Sequence, residues 1–329
     1  MKDMYKTAKR VLRAGSCAGL VLALALFFGC KPGSQTDPKT ANKPRVALVM
    51  KSLANEFFLT MENGAKAHQQ AHPADYDLLA NGIKDELDVS RQIDLVEQMI
   101  AQKVDAIVIA PADSKALVPV CKKAQQAGIT VVNIDNKFDD AVLAASGVKF
   151  AFVGPDNRKG AKAVGDVLAA KLQRGDAVVI IEGAPNAFNG LQRKLGFEDA
   201  MKTAGMKIVS SQSGYWETDK ANQVVASLLT EHPDVKAVLC ANDSMALGAV
   251  AALRAAGKLG QVLVVGYDNI GAVRQLVQEG KILATADQHA DQLAVFGIEY
   301  ALDALKNKGS VANRETPVDL VTAASLSGK

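Results

Sequence analysis

Seven polar side chains stand at or within two residues of the ends of short apolar runs: Lys51, Asp135, Asp156, Glu182, Asn242, Asp268 and Gln288. Their types limit the chemistry. An ionised carboxylate only accepts hydrogen bonds, and it takes them well from hydroxyls, whereas an amide or ammonium donates to hydroxyl or ring oxygens. Phe57, Phe58, Trp216 and Tyr267 add flat rings that can cover apolar C–H faces. Acceptors, donors and rings together suit a neutral polyhydroxylated ligand. Plainer readings stand beside this one. Asp and Asn at such places also cap helices, and Phe57, Phe58 or the single Trp216 could simply pack a core.

Other chemistries lack their parts. There is no phosphate-cradling GxxxxGK[ST], no GxGxxG after the first apolar run and no GxSxG nucleophile elbow. His68, His72, His232 and His289 are scattered, and neither CxxC nor HExxH occurs, so no metal or cofactor site is expected. The chain reads as a binding protein, not an enzyme.

The elements that must hold these residues follow from periodicity. From residue 45 the strand candidates are 46–50, 76–80, 106–110, 130–134, 150–154, 177–181, 207–211, 236–240, 262–266 and 282–286. Most are apolar throughout, as strands covered on both faces should be, so the sheets are expected to be parallel. Between them lie helix candidates at 56–72, 87–103, 114–127, 157–173, 189–204, 219–231, 243–257, 270–279 and 291–307. In the second, Leu87, Ile93, Val96, Ile100 and Val104 have roughly helical spacing, and Gly128 is a natural stop for the third. About ten strands exceed the usual open sheet, which predicts an α/β protein of two doubly wound parallel-sheet lobes. In such sheets ligands bind beyond the carboxyl ends of the strands, where the seven polar residues fall.

The chain has 329 residues, 49% hydrophobic and 22% charged, which is globular composition. Its formal charge of +3 includes five Lys/Arg and one Asp within residues 1–29, and without them the balance is about −1. Nucleic-acid binding therefore has no electrostatic basis. Lys2, Lys6, Lys9, Arg10 and Arg13 precede a mostly apolar run of about 16 residues, short for a membrane span of roughly 30 Å, so 1–29 is expected to be a signal peptide. Leu26-Phe27-Phe28-Gly29-Cys30 resembles a bacterial lipobox, although Phe27 stands where Leu is usual, and the resemblance implies lipidation of Cys30. Residues 30–44, with Pro32, Pro38 and Pro44, would form a flexible tether. Cys121 and Cys240 are expected to be small buried thiols.

VALVMKSLANEFFLTMENGAK, KAVLCANDSMALGAVAALRAAGKLGQVLVVGYDN and KILATADQHADQLAVFGIEYAL resemble bacterial periplasmic ribose- and allose-type sugar-binding proteins, the substrate-binding components of ABC importers, over about residues 45–325. The resemblance implies a type I periplasmic binding protein fold with a three-crossing hinge near 154–156, 287–289 and 317–319. Residues 45–154 plus 289–317 would form one lobe, and 155–288 plus 318–329 the other. It further implies that Lys51 and Asn55 hydrogen-bond a monosaccharide or polyol on which Phe57 and Phe58 stack, with Asp135 and Asn136 beside them. From the other lobe Trp216 would clamp the ligand, Asn242 and Asp268 would bind it, Gln288 would lie near the hinge and Tyr267 stands where an aromatic is frequent. The implied partner is an ABC permease, with the protein a lipid-anchored monomer that is periplasmic or at the cell surface. A sugar-sensing receptor read by a chemoreceptor or histidine-kinase sensor is the alternative. LacI-type repressors share the fold, but a basic, apolar, Cys-ending segment stands where they carry a helix-turn-helix.

Two departures bear on the ligand. In NAFNGLQRKLGF, alignment on Gly196-Phe197 puts Leu191 where the family has a ligand-binding Arg, and Arg193 matches a more structural one. Asn136 replaces a frequent charged residue. Asn186 and Asn189 are the nearby candidates to compensate.

Overall fold

The computed structural model describes residues 43–307 and 312–328. The expected signal peptide, Cys30 and nearly all of the tether lie outside them. No helix among the described residues is long and apolar enough to cross a membrane.

Strand and helix alternate from the start: β1 (Arg45–Ser52), α1 (Glu56–Ala71), β2 (Asp77–Ile83), α2 (Val89–Ala101), β3 (Ala106–Ile109), α3 (Val118–Gln126), β4 (Thr130–Ile134), α4 (Asp140–Ser146) and β5 (Ala151–Pro155). The pattern then repeats with α5 (Asn157–Ala169), β6 (Ala177–Glu182), α6 (Phe188–Ala204), β7 (Lys207–Ser213), α7 (Thr218–Glu231), β8 (Ala237–Cys240), α8 (Asp243–Ala255), β9 (Leu263–Val265), α9 (Gly271–Gln278) and β10 (Ala284–Asp287). The chain closes with α10 (Ala290–Asn307), β11 (Arg314–Thr316), β12 (Asp319–Thr322) and α11 (Ala323–Ser327).

Two six-stranded sheets result, ordered β2-β1-β3-β4-β5-β11 and β7-β6-β8-β9-β10-β12. They repeat one winding. Each reverses direction beside its central strand, between β1 and β3 and between β6 and β8, and these switch points open the crevices where ligands bind in such sheets. This is the expected pair of doubly wound lobes of the type I periplasmic binding protein fold. The chain passes from the first sheet to the second after β5, returns through α10, which packs on α1, β3 and β4, and passes again between β11 and β12.

Local chemistry sets many boundaries. Asn55, Asp88, Asp139, Asp156 and Asn242 each cap the helix that follows through a side-chain oxygen. Gly128 follows α3 with φ +85°, a conformation that glycine adopts without steric cost. β1, β3, β4, β6 and β8 are buried almost end to end, as their apolar runs require.

The structure departs from the sequence reading at four kinds of place. β11 and β12 are edge strands of three and four residues with exposed polar positions, and β12 runs antiparallel to β10, so the second sheet is not wholly parallel. The short helices α4 and α11 were not anticipated. Helix α3 begins at Val118 rather than near 114, which leaves Ser114 in a loop. Finally, α2 starts at Val89 and buries Gln92, Leu95, Val96 and Met99, while Leu87 is exposed. Of the expected stripe Val96 and Val104 are buried and Ile93 and Ile100 pack half-buried on the core, and Gln92 joins that face because its amide Nε2 donates to Met50 O and Ala110 O while its Oε1 accepts from Ala112 N. One side chain thereby satisfies three backbone groups at the end of the first sheet. Cys121 and Cys240 are free and buried, and burial raises both thiols' pKa.

Candidate ligand-binding site

The carboxyl ends of the two sheets face each other across a narrow cleft with only about 10 Å³ of free volume, room for about one water. From the first lobe come Lys51 at the end of β1, Asn55, Phe57 and Phe58 at the start of α1, Glu86 after β2 and Asp135 after β4. From the second come Asn189 and Arg193 on α6, Trp216 after β7, Asn242 after β8, Asp268 after β9 and Gln288 after β10. Ligand sites run to roughly 300–1,000 Å³, so in this conformation the two walls nearly meet, with their polar and aromatic groups lining the gap.

Charges here are buried but held apart. Lys51 is 3% exposed, and its Nζ lies 3.6 Å from both Glu86 Oε2 and Asp135 Oδ2, beyond hydrogen-bond length. On the opposite wall Arg193 Nη1 stands 3.4 Å from Asp268 Oδ1, which also accepts from Gln288 Nε2 at 2.7 Å. Arg193 is anchored by donating to Asn157 Oδ1 and Ala241 O. Burial pushes Glu86 up to about 7 against the opposing pull of Lys51, and burial likewise raises Asp268 well above the carboxylate range against Arg193. Beneath Asp268, Asp243 accepts from Thr285 Oγ1 and Ile270 N and is also pushed to about 7 by burial.

Rings complete the walls. Phe57 and Phe58 meet edge to face at 5.0 Å, and Lys51 Nζ lies 5.2 Å from the Phe58 ring and 5.3 Å from Trp216. The Arg193 guanidinium stacks over Tyr267 at 3.8 Å. Gly183 and Gly190 admit Trp216, because a Cβ at Gly183 would collide with its benzo ring and one at Gly190 would press on it.

Four buried atoms of this cavity have no hydrogen-bond partner among the described residues: Glu86 Oε2, Asp135 Oδ2, Gln288 Oε1 and Trp216 Nε1. Three accept and one donates. Leaving such groups unpaired costs about 1–3 kcal/mol each, and hydroxyls, which serve in both roles, are the groups that would complete them. The backbone is left-handed at two of these residues, with φ +59° at Asp135 and +71° at Trp216, and at neighbouring Asp268 with φ +127°.

A family model described as a periplasmic binding protein domain matches residues 46–309. The chain belongs to the periplasmic binding protein family. A D-ribose/D-allose-binding protein of Pseudomonas aeruginosa is 58% identical over 319 residues, 96% of this chain and 99% of the relative. Among solved structures, an ABC transporter solute-binding protein of Burkholderia multivorans, with an unknown ligand represented as α-D-erythrofuranose, is 61% identical at a TM-score of 0.84, covering 86% of this chain and all of that one. An ABC transporter periplasmic solute-binding protein of Actinobacillus succinogenes with bound D-allose is 37% identical at a TM-score of 0.82, covering 87% and 100%. The homologues are sugar-binding proteins of ABC transporters, as the resemblance in the sequence implied.

In this periplasmic binding protein, nine of the ten expected ligand-binding residues line the one cavity. Asn136 stands apart. It is fully buried, its Nδ2 donates to Pro111 O at 2.8 Å, and its Oδ1 accepts from Ser114 Oγ and from Asn189 N, each at 3.2 Å, so both ends of its amide are engaged. Asn55 and Asn242 have two roles, each capping a helix while facing the cavity. Phe57, Phe58 and Trp216 likewise belong to the core and the site at once. The two arginine positions exchange their expected places: Leu191 is half exposed outside the cavity, whereas Arg193 lines it. Glu86 was missed, since it follows an exposed loop and looks like a surface carboxylate. Asn189, one of the two compensating candidates, does line the cavity, and Asn186 does not.

Proposed function

We propose that this chain is the solute-binding component of an ABC-type importer, closing two lobes on a monosaccharide or polyol and handing it to a membrane permease without catalysing a reaction. The observation that carries this is the cleft between the sheets, with its four unpaired polar atoms and flanking aromatic rings. Three acceptors and one donor lining one cleft match a ring of hydroxyls better than an ion, whose charge would demand a single sign of partner. D-Ribose and D-allose come first among candidates, because relatives are named for them or hold them.

The lobes would be residues 45–154 plus 289–317 and 155–288 plus 318–329, turning on the three crossings. The mature protein would be a monomer that begins at a lipidated Cys30, held to a membrane by residues 30–44. A polar, proline-bearing tether after a basic-apolar leader supports that reading. Loss of lipid labelling in Cys30→Ser is its test, and unchanged labelling would refute it.

A thermal-shift screen over pentoses, hexoses and polyols tests the ligand. At 100 times its dissociation constant, a ligand stabilises the folded chain by about 2.7 kcal/mol. The best ligand should also shrink the radius of gyration in small-angle scattering. A screen in which no sugar or polyol moves the melting temperature overturns the proposal.

A further inference from the structure

Two helices of the second lobe begin without a side chain able to cap them. The residue before α6 is Ala187 and the residue before α9 is Ile270, neither of which carries a side-chain oxygen. The first turn of a helix nonetheless exposes N–H groups that need acceptors. In α6 two of those acceptors come from the other lobe, while Gly190 N finds Asn189 Oδ1 beside it. Phe188 N donates to Ser114 Oγ at 2.9 Å and Asn189 N to Asn136 Oδ1 at 3.2 Å, while Ser114 N donates back to Asn186 O at 3.0 Å. In α9, Gly271 N donates to Glu56 Oε1 at 2.7 Å, and Glu56 sits on α1 of the first lobe. Its carboxylate also faces the positive end of the α9 dipole. The leading residues of α3 and α7, Leu117 and Glu217, make no side-chain cap either, so a missing cap alone carries nothing. What distinguishes α6 and α9 is the acceptor supplied across the cleft.

We infer that closing the lobes is what caps α6 and α9, so that Ser114, Asn136 and Glu56 set the balance between open and closed forms, and through it ligand affinity, without touching the ligand. The inference rests on the proposed hinged binding function. Ser114 and Asn136 are well placed to act as acceptors, because they are 4% and 0% exposed, their side chains are joined by a hydrogen bond of 3.2 Å, and Asn136 is pinned through Pro111 O. When the lobes part, the helix N–H groups and these oxygens return to water, so each cap contributes the modest difference between a protein partner and a water partner. That difference, for a helix cap, corresponds to about fivefold in an equilibrium. The arrangement also accounts for Asn136 standing outside the cavity although it neighbours Asp135.

The test is an interlobe distance distribution from spin labels on exposed sites, one per lobe, with and without D-allose or D-ribose, alongside dissociation constants for the same sugars. Ser114→Ala and Glu56→Ala should each lower the closed-to-open ratio about fivefold and weaken binding by the same factor, and together they should multiply. Ser114→Thr, which keeps the oxygen, should restore both quantities. Ala187→Ser supplies a local cap that competes for Asn189 N. It should raise the melting temperature of the ligand-free chain while lowering its closed fraction, a split that a merely structural role would not produce. Unchanged distance distributions in Ser114→Ala and Glu56→Ala, or a wild-type chain with no closed population under any condition, would overturn the inference. If neither sugar binds yet the variants still shift the ligand-free distribution, the ligand reading fails and the capping inference stands.

Discussion

Asp135→Asn is the sharpest probe of the cavity. Asp135 is 1% exposed, its Oδ2 has no hydrogen-bond partner among the described residues, and the nearest cation is Lys51 Nζ at 3.6 Å. Its backbone sits at φ +59°, a conformation that Asn tolerates nearly as well as Asp, so the exchange keeps shape and main chain. What changes is charge and the replacement of one acceptor by a donor. Lys51 keeps Glu86 at 3.6 Å, and losing the neighbouring negative charge of Asp135 removes one cause that raises Glu86, so its carboxylate ionises more readily beside the cation. A hydrogen bond from a ligand hydroxyl to an ionised carboxylate contributes about 1.5–3 kcal/mol, which converts to a loss of roughly tenfold to a hundredfold in affinity. Folding should be spared, since the substitution breaks no observed hydrogen bond of the carboxylate. Calorimetric titration with D-ribose or D-allose, with a thermal melt of each protein as the control, reads both quantities. A dissociation constant within twofold of wild type, with folding intact, would mean that Asp135 does not hold the ligand.

Three further outcomes follow from the same geometry. Gly183→Ala places a methyl against the Trp216 ring, so the fluorescence of this single tryptophan should shift in the ligand-free chain and sugar affinity should fall at least tenfold; an unchanged spectrum would show that the ring is not lodged there. Burial lifts Glu86 to about 7 from near 4.5, so the folded state holds a proton that the unfolded chain has released, and stability should fall as pH rises from about 5 to 7. Glu86→Gln should flatten that slope by up to about 3 kcal/mol in urea denaturation of the ligand-free chain, and identical slopes would refute the assignment. Cys121 and Cys240, buried with their pKa raised by desolvation, should react with a thiol reagent only on unfolding, which a time course in native buffer checks directly.

Legibility in the sequence tracked burial. Strands such as AIVI and AVLC are buried on both faces, and an uninterrupted apolar run leaves little doubt about their state. RET and DLVT, at the sheet edges, carry polar exposed positions and are fixed by pairing with β5 and β10, partners distant in sequence. Site residues directly behind strands, such as Lys51 and Asp135, were readable because the winding forces them into the crevice. Arg193 and Asn189 lie along a helix, where the face turned to the cavity depends on how α6 packs against α5. Glu86 depends on the path of a loop after β2. Asn136, which the resemblance placed beside Asp135 in the site, lies outside the cavity because the left-handed turn at Asp135 sends the next side chain toward Pro111 and Ser114.

The cavity's spacing of charge explains why so many ionisable groups can be buried there. Direct ion pairs would satisfy Lys51, Glu86 and Asp135 among themselves and leave little for a neutral molecule to bond. At 3.6 Å the charges still stabilise one another, because Coulomb attraction falls only as the inverse of distance, while their hydrogen-bonding lone pairs stay unused. The left-handed backbone at Asp135, Trp216 and Asp268 costs of order 1–3 kcal/mol per residue, so the packing around these residues must hold them in place. The cleft is accordingly poor in hydrogen bonds at its centre and well bonded at its rim, through Ser114, Asn136 and Glu56. A hydroxylated ligand supplies what the centre lacks only when both walls surround it, which ties the chemistry of recognition to the act of closing.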